Sequence, residues 1–396
     1  MSEESIVIVA AQRIPTGSFQ GVYQSMSSIQ LGTMAIKGAL EASKISGEDV
    51  DEVFMGCVLP AGLGQAPARQ AALQAGLPKK VACVTINKVC GSSLKSVMLA
   101  HDAILAGSIN IAIAGGMESM TNAPYLLPGA RAGLRMGTYP ILDHMMLDGL
   151  EDAYTGGTSM GVFAEKTAEK YGFTREQQDA YAIETDKRAL DAMKKGYFKQ
   201  EIIPVSVTTK KGTLIVDEDE PPTKINFDKI PLLKPAFKKE GTITAANSSS
   251  ISDGAAAIVL MKESEALRRN LKPLVKIVAQ AQHSREPEWF TLAPSGAIEK
   301  VLNKAGWSKE EVDFYEINEA FAVVVMAVMK DLGLTQKNVN VHGGACALGH
   351  PIGATGAKIL TTLIYALKTH GKKKGVVSLC IGGGEAIAIA IERIED

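Results

Sequence analysis

Aromatic residues make up only 5% of the 396-residue sequence, and no apolar run is long enough to cross a membrane, so no membrane-spanning role is expected. An excess of one charge is also missing. Lys and Arg number 42 against 43 Asp and Glu, a formal net charge of -1. Whole-chain electrostatics therefore gives no case for nucleic acid or an anionic membrane surface as partner, and leaves room only for a local basic patch toward a phosphorylated ligand. Cysteine is scarce: Cys57, Cys83, Cys90, Cys346 and Cys380 are odd in number and widely scattered. That spread argues against a disulfide framework, and without CxxC or HxxxH spacing no metal site is expected. A reducing compartment fits better. The start, Met1-Ser2-Glu3-Glu4-Ser5, is acidic and runs straight into Ile6-Val7-Ile8-Val9, without the basic and apolar regions of a signal peptide. A cytoplasmic protein is expected.

What the chain does have is apolar content and glycine. At 46% hydrophobic with 38 Gly, it reads as a globular α/β enzyme rather than a disordered or fibrous chain. Its length suits two to three domains or a duplicated unit. Duplication is visible. Ala35-Ile36-Lys37-Gly38-Ala39-Leu40, continuing through Ser46-Gly47-Glu48-Asp49-Val50-Asp51, reappears as Ala297-Ile298-Glu299-Lys300-Val301-Leu302 with Ser308-Lys309-Glu310-Glu311-Val312-Asp313, at a constant offset of 262 residues (297 − 35 and 312 − 50). Both copies read as an amphipathic helix, a polar turn and a strand, Val53-Phe54-Met55 or Phe314-Tyr315-Glu316. A buried strand ending in glycines also recurs, as Ile111-Ala112-Ile113-Ala114-Gly115-Gly116 and as Val376-Val377-Ser378-Leu379-Cys380-Ile381-Gly382-Gly383.

The pattern divides the chain into a first unit at 1–120, completed by 248–272, and a second at 273–396. Between them, 121–247 reads as an insertion covering the site. It holds one clear helix over 174–195, opened by a Thr174/Gln177 capping box. The charged, Pro-containing stretch 210–239 is expected to be largely loop. A strand at 255–260 returns the chain to the first unit.

Two residues carry chemistry at matching places in the copies. Cys90 and His350 each stand at the head of a small-residue loop leading into an apolar helix pattern, 260 residues apart (350 − 90). A free thiol near pKa ~8.5 is only a few per cent ionised at neutral pH, so a nucleophilic Cys90 needs a base and a helix N-terminus. His350, between Gly349 and Pro351, is placed to be that base. Cys380 ends an apolar strand before Gly382-Gly383-Gly384, whose consecutive backbone N–H groups suit an oxyanion or a phosphate. Its thiol could exchange a proton with a carbon next to a carbonyl. Asn318-Glu319, at a strand-to-helix junction, either caps the helix or serves the site, Asn318 by fixing a water and Glu319 by orienting His350. The segment 349–358 lacks Gly-Lys-Ser/Thr, which excludes a nucleotide phosphate loop.

Taken together, Asn87-Lys88-Val89-Cys90-Gly91-Ser92-Ser93, Gly115-Gly116-Met117-Glu118-Ser119-Met120, Asn318-Glu319-Ala320-Phe321, the block 343–356 and Cys380-Ile381-Gly382-Gly383-Gly384 resemble the thiolase family over essentially the whole chain. The resemblance implies a five-layered αβαβα fold from two similar halves plus a loop domain. It implies an acyltransferase in which Cys90 takes an acyl group from an acyl-coenzyme A thioester, His350 takes the thiol proton, and Cys380 removes the α-proton of a second acetyl-CoA. Two oxyanion holes come with it, one from His350 and a water held by Asn318, the other from the N–H groups of Cys90 and Gly382. Substrate contacts are implied at Ser249, Met160, Ser159, Leu150, Ala320 and Phe321, with Lys224 near the CoA phosphate.

The family's acetoacetyl-specific members carry His-Met-Gly where this chain has Ser159-Met160-Gly161, and a Gly where it has Ser250. The expected reaction is reversible condensation of two acetyl-CoA into acetoacetyl-CoA, with cleavage of longer 3-ketoacyl-CoA chains as the alternative. A binding protein without catalysis would lack one of Cys90, His350 or Cys380, and a cysteine hydrolase would leave Cys380 unexplained. No metal or redox cofactor is required, and the family pattern implies a homodimer or homotetramer.

Overall fold

The order of strands exposes the duplication directly. The computed structural model describes residues 4–210 and 212–394. In the first half, β1 (Ile6–Arg13), β2 (Glu52–Gly56), β3 (Ala82–Ile86), β4 (Ile111–Ser119) and β5 (Ser252–Lys262) lie in the order β3-β2-β4-β5-β1. In the second, β6 (Val275–Ser284), β7 (Phe314–Ile317), β8 (Lys374–Ile381) and β9 (Glu385–Arg393) run β7-β8-β9-β6. Val339 bridges Tyr315 where a fifth strand would lie. Equating β1 with β6, β2 with β7, β4 with β8 and β5 with β9 makes the two orders the same. The halves meet where β1 and β6 pair antiparallel through Val7 with Lys276 and Ile8 with Val275.

The repeated polar residues have repeated work. Asp51 accepts from the N–H groups of Asn110 and Ile111 at the start of β4, and Asp313 accepts from those of Lys373 and Lys374 at the start of β8. Each carboxylate thus satisfies strand-end donors and fixes the register of the neighbouring parallel strand.

Helices cover these strands in layers. Outside the first half lie α1 (Ser28–Ser43) and α2 (Pro67–Gln74), which bury Leu31, Ile36, Ala68 and Ala71 against Val53, Met55 and Val259. α1 is held at its start by a capping box between Ser27 and Gln30. Between the halves lies α3 (Ser92–Leu105). In the insertion are α4 (Met160–Tyr171) and α5 (Arg175–Lys195). Outside the second half, α6 (Ala293–Ala305) and α7 (Ala322–Leu332) bury Ile298, Val301, Val325 and Val328 against Tyr315, Ile317 and Val376. The last helix, α8 (Thr355–Thr369), joins α3 in the middle layer. There Leu94, Val97, Leu360 and Leu363 share one core with Ile258 of the first half and Ile389 of the second. Each such side chain contributes about 1.5–3 kcal/mol on burial. The strands beneath are apolar almost throughout because both of their faces are covered, and all nine residues of β4 are buried.

The insertion is more regular than its composition suggests. The capping box at Thr174 and Gln177 opens α5 as expected, and Gly196 closes it in the left-handed conformation. The stretch 210–239 is largely loop as expected, but it also contributes a strand. Gly212–Val216 pairs antiparallel with Val205–Thr209 in a hairpin, and two short 3-10 turns follow at Pro221–Lys224 and Phe227–Leu232. The alternation in this hairpin is short and flanked by lysines, so composition hid it. The chain then returns through β5, which pairs with both β1 and β4.

Candidate active site

Cys90 stands two residues before α3, on a turn with an unusual backbone. Val89 has φ +46, a conformation that costs a β-branched residue about 1–3 kcal/mol and persists only where neighbours enforce it. They do so here. The Asn87 carboxamide oxygen accepts from the Val89 N–H at 2.9 Å, the Ser92 hydroxyl donates to the Val89 carbonyl at 2.7 Å, and Ser92 Oγ accepts from the Lys88 N–H at 2.8 Å. Lys88 Nζ reaches Glu385 at 2.6 Å, which ties the turn to the start of β9. Burial pushes the Cys90 thiol up to about 11, opposed by the N–H groups of Gly382 and of Cys90 itself directed at the sulfur.

His350 comes from the other half. Gly349 has φ +77, and a Cβ there would stand 2.2 Å from Ser252 Oγ, so only glycine allows the turn that presents the imidazole. Behind it, Thr355 Oγ1 donates to the Pro351 carbonyl at 2.9 Å and lies 2.5 Å from His350 Nδ1. With its own proton engaged, the Thr355 oxygen accepts, which assigns the imidazole proton to Nδ1 and leaves Nε2 a lone pair. Asn318 Nδ2 is 3.5 Å from that Nε2, and Asn318 Oδ1 is buried without a partner. Burial, then the charge of Lys358, drives His350 down to about 3. Thiol and imidazole are therefore both uncharged at neutral pH.

The two loops meet because the helices behind them cross closely. A Cβ on Gly356 of α8 would stand 2.5 Å from Leu94 Cβ and 2.6 Å from the Leu94 nitrogen, and the Ala357 N–H donates to Ser93 Oγ at 3.0 Å. Glu118 on β4 completes the seam. Its carboxylate accepts from the N–H groups of Val58, Leu59 and Gly353, and burial raises it to about 7.

Cys90, His350 and Gly382 wall one cavity of about 410 Å³. Ser249, Met160, Ser159, Leu150, Ala320 and Phe321 line it as well. The Ser249 hydroxyl donates to the Ala320 carbonyl at 3.0 Å. Cys380 and Asn318 lie behind the wall, fully buried. Burial, and then the proximity of Cys90, raises the Cys380 thiol well above its ordinary value.

One expectation is corrected. Glu319 does not orient His350. Side chains alternate along an extended segment, so Asn318 faces the imidazole while Glu319 faces the opposite side. There it accepts from Tyr181 Oη at 2.8 Å, Thr185 Oγ1 at 2.9 Å, Asn340 Nδ2 at 2.9 Å and the Cys346 N–H at 3.0 Å. Lys224, expected near the CoA phosphate, does not line the cavity. Its Nζ pairs at 2.6 Å with Glu220, whose carboxylate also accepts from the N–H groups of Ser18 and Val22. Thr355 and Phe237 are residues that sequence reasoning missed. Thr355 could have been found as the hydroxyl five residues after His350. Phe237, edge-on to Phe321 with ring centroids 5.9 Å apart, lies in a stretch read as loop and gave no signal.

The comparisons agree with this architecture. The thiolase N-terminal domain matches residues 6–264 and the thiolase C-terminal domain residues 271–393, and the chain belongs to the thiolase family. It is 47% identical over 396 residues to an acetyl-CoA acetyltransferase of Schizosaccharomyces pombe, covering all of both chains. It is 47% identical over 392 residues to a cytosolic acetyl-CoA acetyltransferase of Gibberella zeae, covering 98% of each. Among solved structures it resembles the Acat5 thiolase of Ascaris suum in complex with coenzyme A, at a TM-score of 0.94 and 43% identity, covering 99% of this chain and 100% of that one.

Proposed function

We propose that this thiolase is an acetyl-CoA acetyltransferase, condensing two acetyl-CoA into acetoacetyl-CoA and CoA, reversibly. The observation that carries the reading is the single cavity walled by Cys90, His350 and Gly382, one thiol from the first half and a base and a donor from the second. Identity of 47% over essentially the full length to enzymes of that name supports the substrate.

The chemistry follows from the geometry. Cys90 sulfur attacks the acetyl carbonyl as Nε2 of His350 takes its proton. The C–S bond to CoA breaks, and the departing CoA thiolate recovers that proton. The N–H groups of Cys90 and Gly382 face the developing oxyanion, where one such donor is worth about 2.7–4 kcal/mol. A second acetyl-CoA then gives its α-proton to Cys380, whose suppressed acidity makes its thiolate a strong base. His350 and a water held by the unpartnered Asn318 Oδ1 serve the enolate oxygen. The enolate carbon attacks acetyl-Cys90, and the C–S bond breaks. The departing Cys90 thiolate takes the proton held by Cys380, which returns Cys90 to the thiol and Cys380 to the thiolate that began the step. No step changes an oxidation state, so the cycle calls for no metal or redox group. Ser249, Met160, Leu150, Ser159, Ala320 and Phe321 hold the pantetheine and acyl parts.

Cleavage of longer 3-ketoacyl-CoA chains is the second reading, favoured by the apolar wall of Met146, Leu150 and Ile352 beside Cys90. Turnover of acetoacetyl-CoA against six- to ten-carbon substrates decides between them, and clearly faster turnover of the longer ones defeats the first. Mass spectrometry after acetyl-CoA treatment should find an acetyl group on Cys90; none there would refute covalent catalysis at this thiol.

Five free cysteines fit a reducing compartment, and we place the protein in the cytoplasm. No helix among the described residues is long and apolar enough to cross a membrane. A homodimer or homotetramer is supported by the unpaired edge of β3 and by exposed Leu127, Leu134, Met136, Tyr139 and Ile141 on one loop.

A further inference from the structure

Lys358 is a buried lysine for which the mechanism above has no use. It lies in the first turn of α8, is 5% exposed, and donates from Nζ to the Leu348 carbonyl at 2.8 Å and the Gly349 carbonyl at 2.7 Å. Those carbonyls end the single-turn helix Ala345–Leu348, where the last C=O groups have no partner within the helix. They also immediately precede His350. Thr355, three residues before Lys358 on the same face of α8, holds the imidazole ring itself. One helical turn thus grips both the ring and the backbone that delivers it.

We propose that Lys358 is a positioning residue for His350, its buried Nζ fixing the Leu348–His350 turn so that Nε2 faces Cys90. The inference rests on His350 acting as proton acceptor in the proposed reaction. A buried ammonium is expensive without counter-charge, and this one has it. Asp219 and Glu201 face it, each also paired with Arg13, at 2.7 Å and 2.6 Å, while Glu316, which also faces it, is driven toward its neutral form by burial. Asp219 and Glu201 come from the insertion and Glu316 from β7, so the insertion reaches the turn of His350 through charge. A methionine would fill the same space without needing any of these partners. The lysine supplies what methionine cannot, two N–H donors to carbonyls and, in its charged form, a positive charge behind an imidazole that must be neutral before it takes the Cys90 proton. Consistent with this, the charge of Lys358 is the second cause of the lowered His350 pKa, and burial holds Lys358 itself down to about 7.

The test is a double-mutant cycle on the full-length protein with Lys358→Met, His350→Asn and the pair. Turnover with acetoacetyl-CoA and CoA and alkylation of Cys90 by iodoacetamide are read in parallel. Lys358→Met should lower kcat by about ten- to a hundredfold with KM within about twofold. Lys358→Arg should recover part of that loss. In the His350→Asn background, Lys358→Met should cost nothing further, because a residue acting only through His350 has nothing left to position. Losses that multiply across the cycle, or a Lys358→Met variant as active as wild type, would overturn the proposal. Wild-type activity in His350→Asn alone would instead remove the role given to His350. Should the methionine variant fail to fold, Lys358→Gln runs the same cycle, keeping a donor and losing the charge.

Discussion

At the scale of single residues, the site is set for chemistry on demand rather than for a standing ion pair. Burial raises Cys90 to about 11 and lowers His350 to about 3, so the free protein holds a thiol and a neutral imidazole. The reactive form is the thiolate, and its fraction grows with pH up to the raised value. Alkylation of Cys90 by iodoacetamide should therefore accelerate steadily from pH 7 to pH 10. A rate that plateaus below pH 8 would show a preformed thiolate. Gly382 makes a second residue-level prediction. A Cβ there would meet Met160 Sδ at 3.5 Å and Val89 Cγ1 at 3.7 Å, which is ordinary contact. Gly382→Ala should keep kcat within a few-fold of wild type, because the N–H aimed at sulfur survives. Gly382→Pro removes that donor and should cost about 10²–10³ in kcat. Equal losses in both variants would mean that the glycine is needed for space and not for its N–H.

At the scale of elements, the catalytic distance depends on how closely α3 and α8 cross. Gly356 lies against Leu94 with no room for a side chain. Gly356→Val should destabilise the protein by about 1–3 kcal/mol in denaturant unfolding and lower kcat together with it, since separating the helices separates Cys90 from His350. Unchanged turnover in a folded variant would show that the loops find each other without the crossing. The elements are also where the sequence was most and least informative. The repeat disclosed the two halves, because helix, polar turn and strand recur in pattern at one offset. The capping box at Thr174 disclosed the start of α5. Cys90, His350 and Cys380 stood out because glycine and small residues surround them. Thr355 and Lys358 did not, since a threonine and a lysine in a helical pattern read as ordinary. Their roles arise only when the chain folds back on Pro351, Leu348 and Gly349. Glu319 was misread for a related reason: adjacency in sequence suggested a shared task, while strand alternation sends it to the other face.

At the scale of the whole molecule, exposed apolar surface concentrates on the loop between β4 and α4, where Met136 is 92% exposed and Ile141 65%. A lone exposed residue needs no explanation, but five along one loop are what the proposed assembly would cover. Met136→Glu with Ile141→Lys should lower the mass measured by sedimentation equilibrium by at least half, with the fold intact by circular dichroism. An unchanged mass would remove this loop from the assembly.

The shared middle core has a consequence for how the polypeptide could be divided. Leu94 and Leu360 lie in one cluster contributed by both halves, whereas the covalent passage between the halves runs through exposed Asn270 and Lys272. Cutting the gene there and expressing 1–270 and 271–396 side by side should yield two fragments that recover activity only as a heterodimer. Each alone would present one wall of an unfilled interior to water, and should be insoluble or unfolded. Cooperative unfolding of either fragment by itself would show it to be an autonomous domain. Otherwise the protein behaves as two interdependent subunits that happen to share one chain.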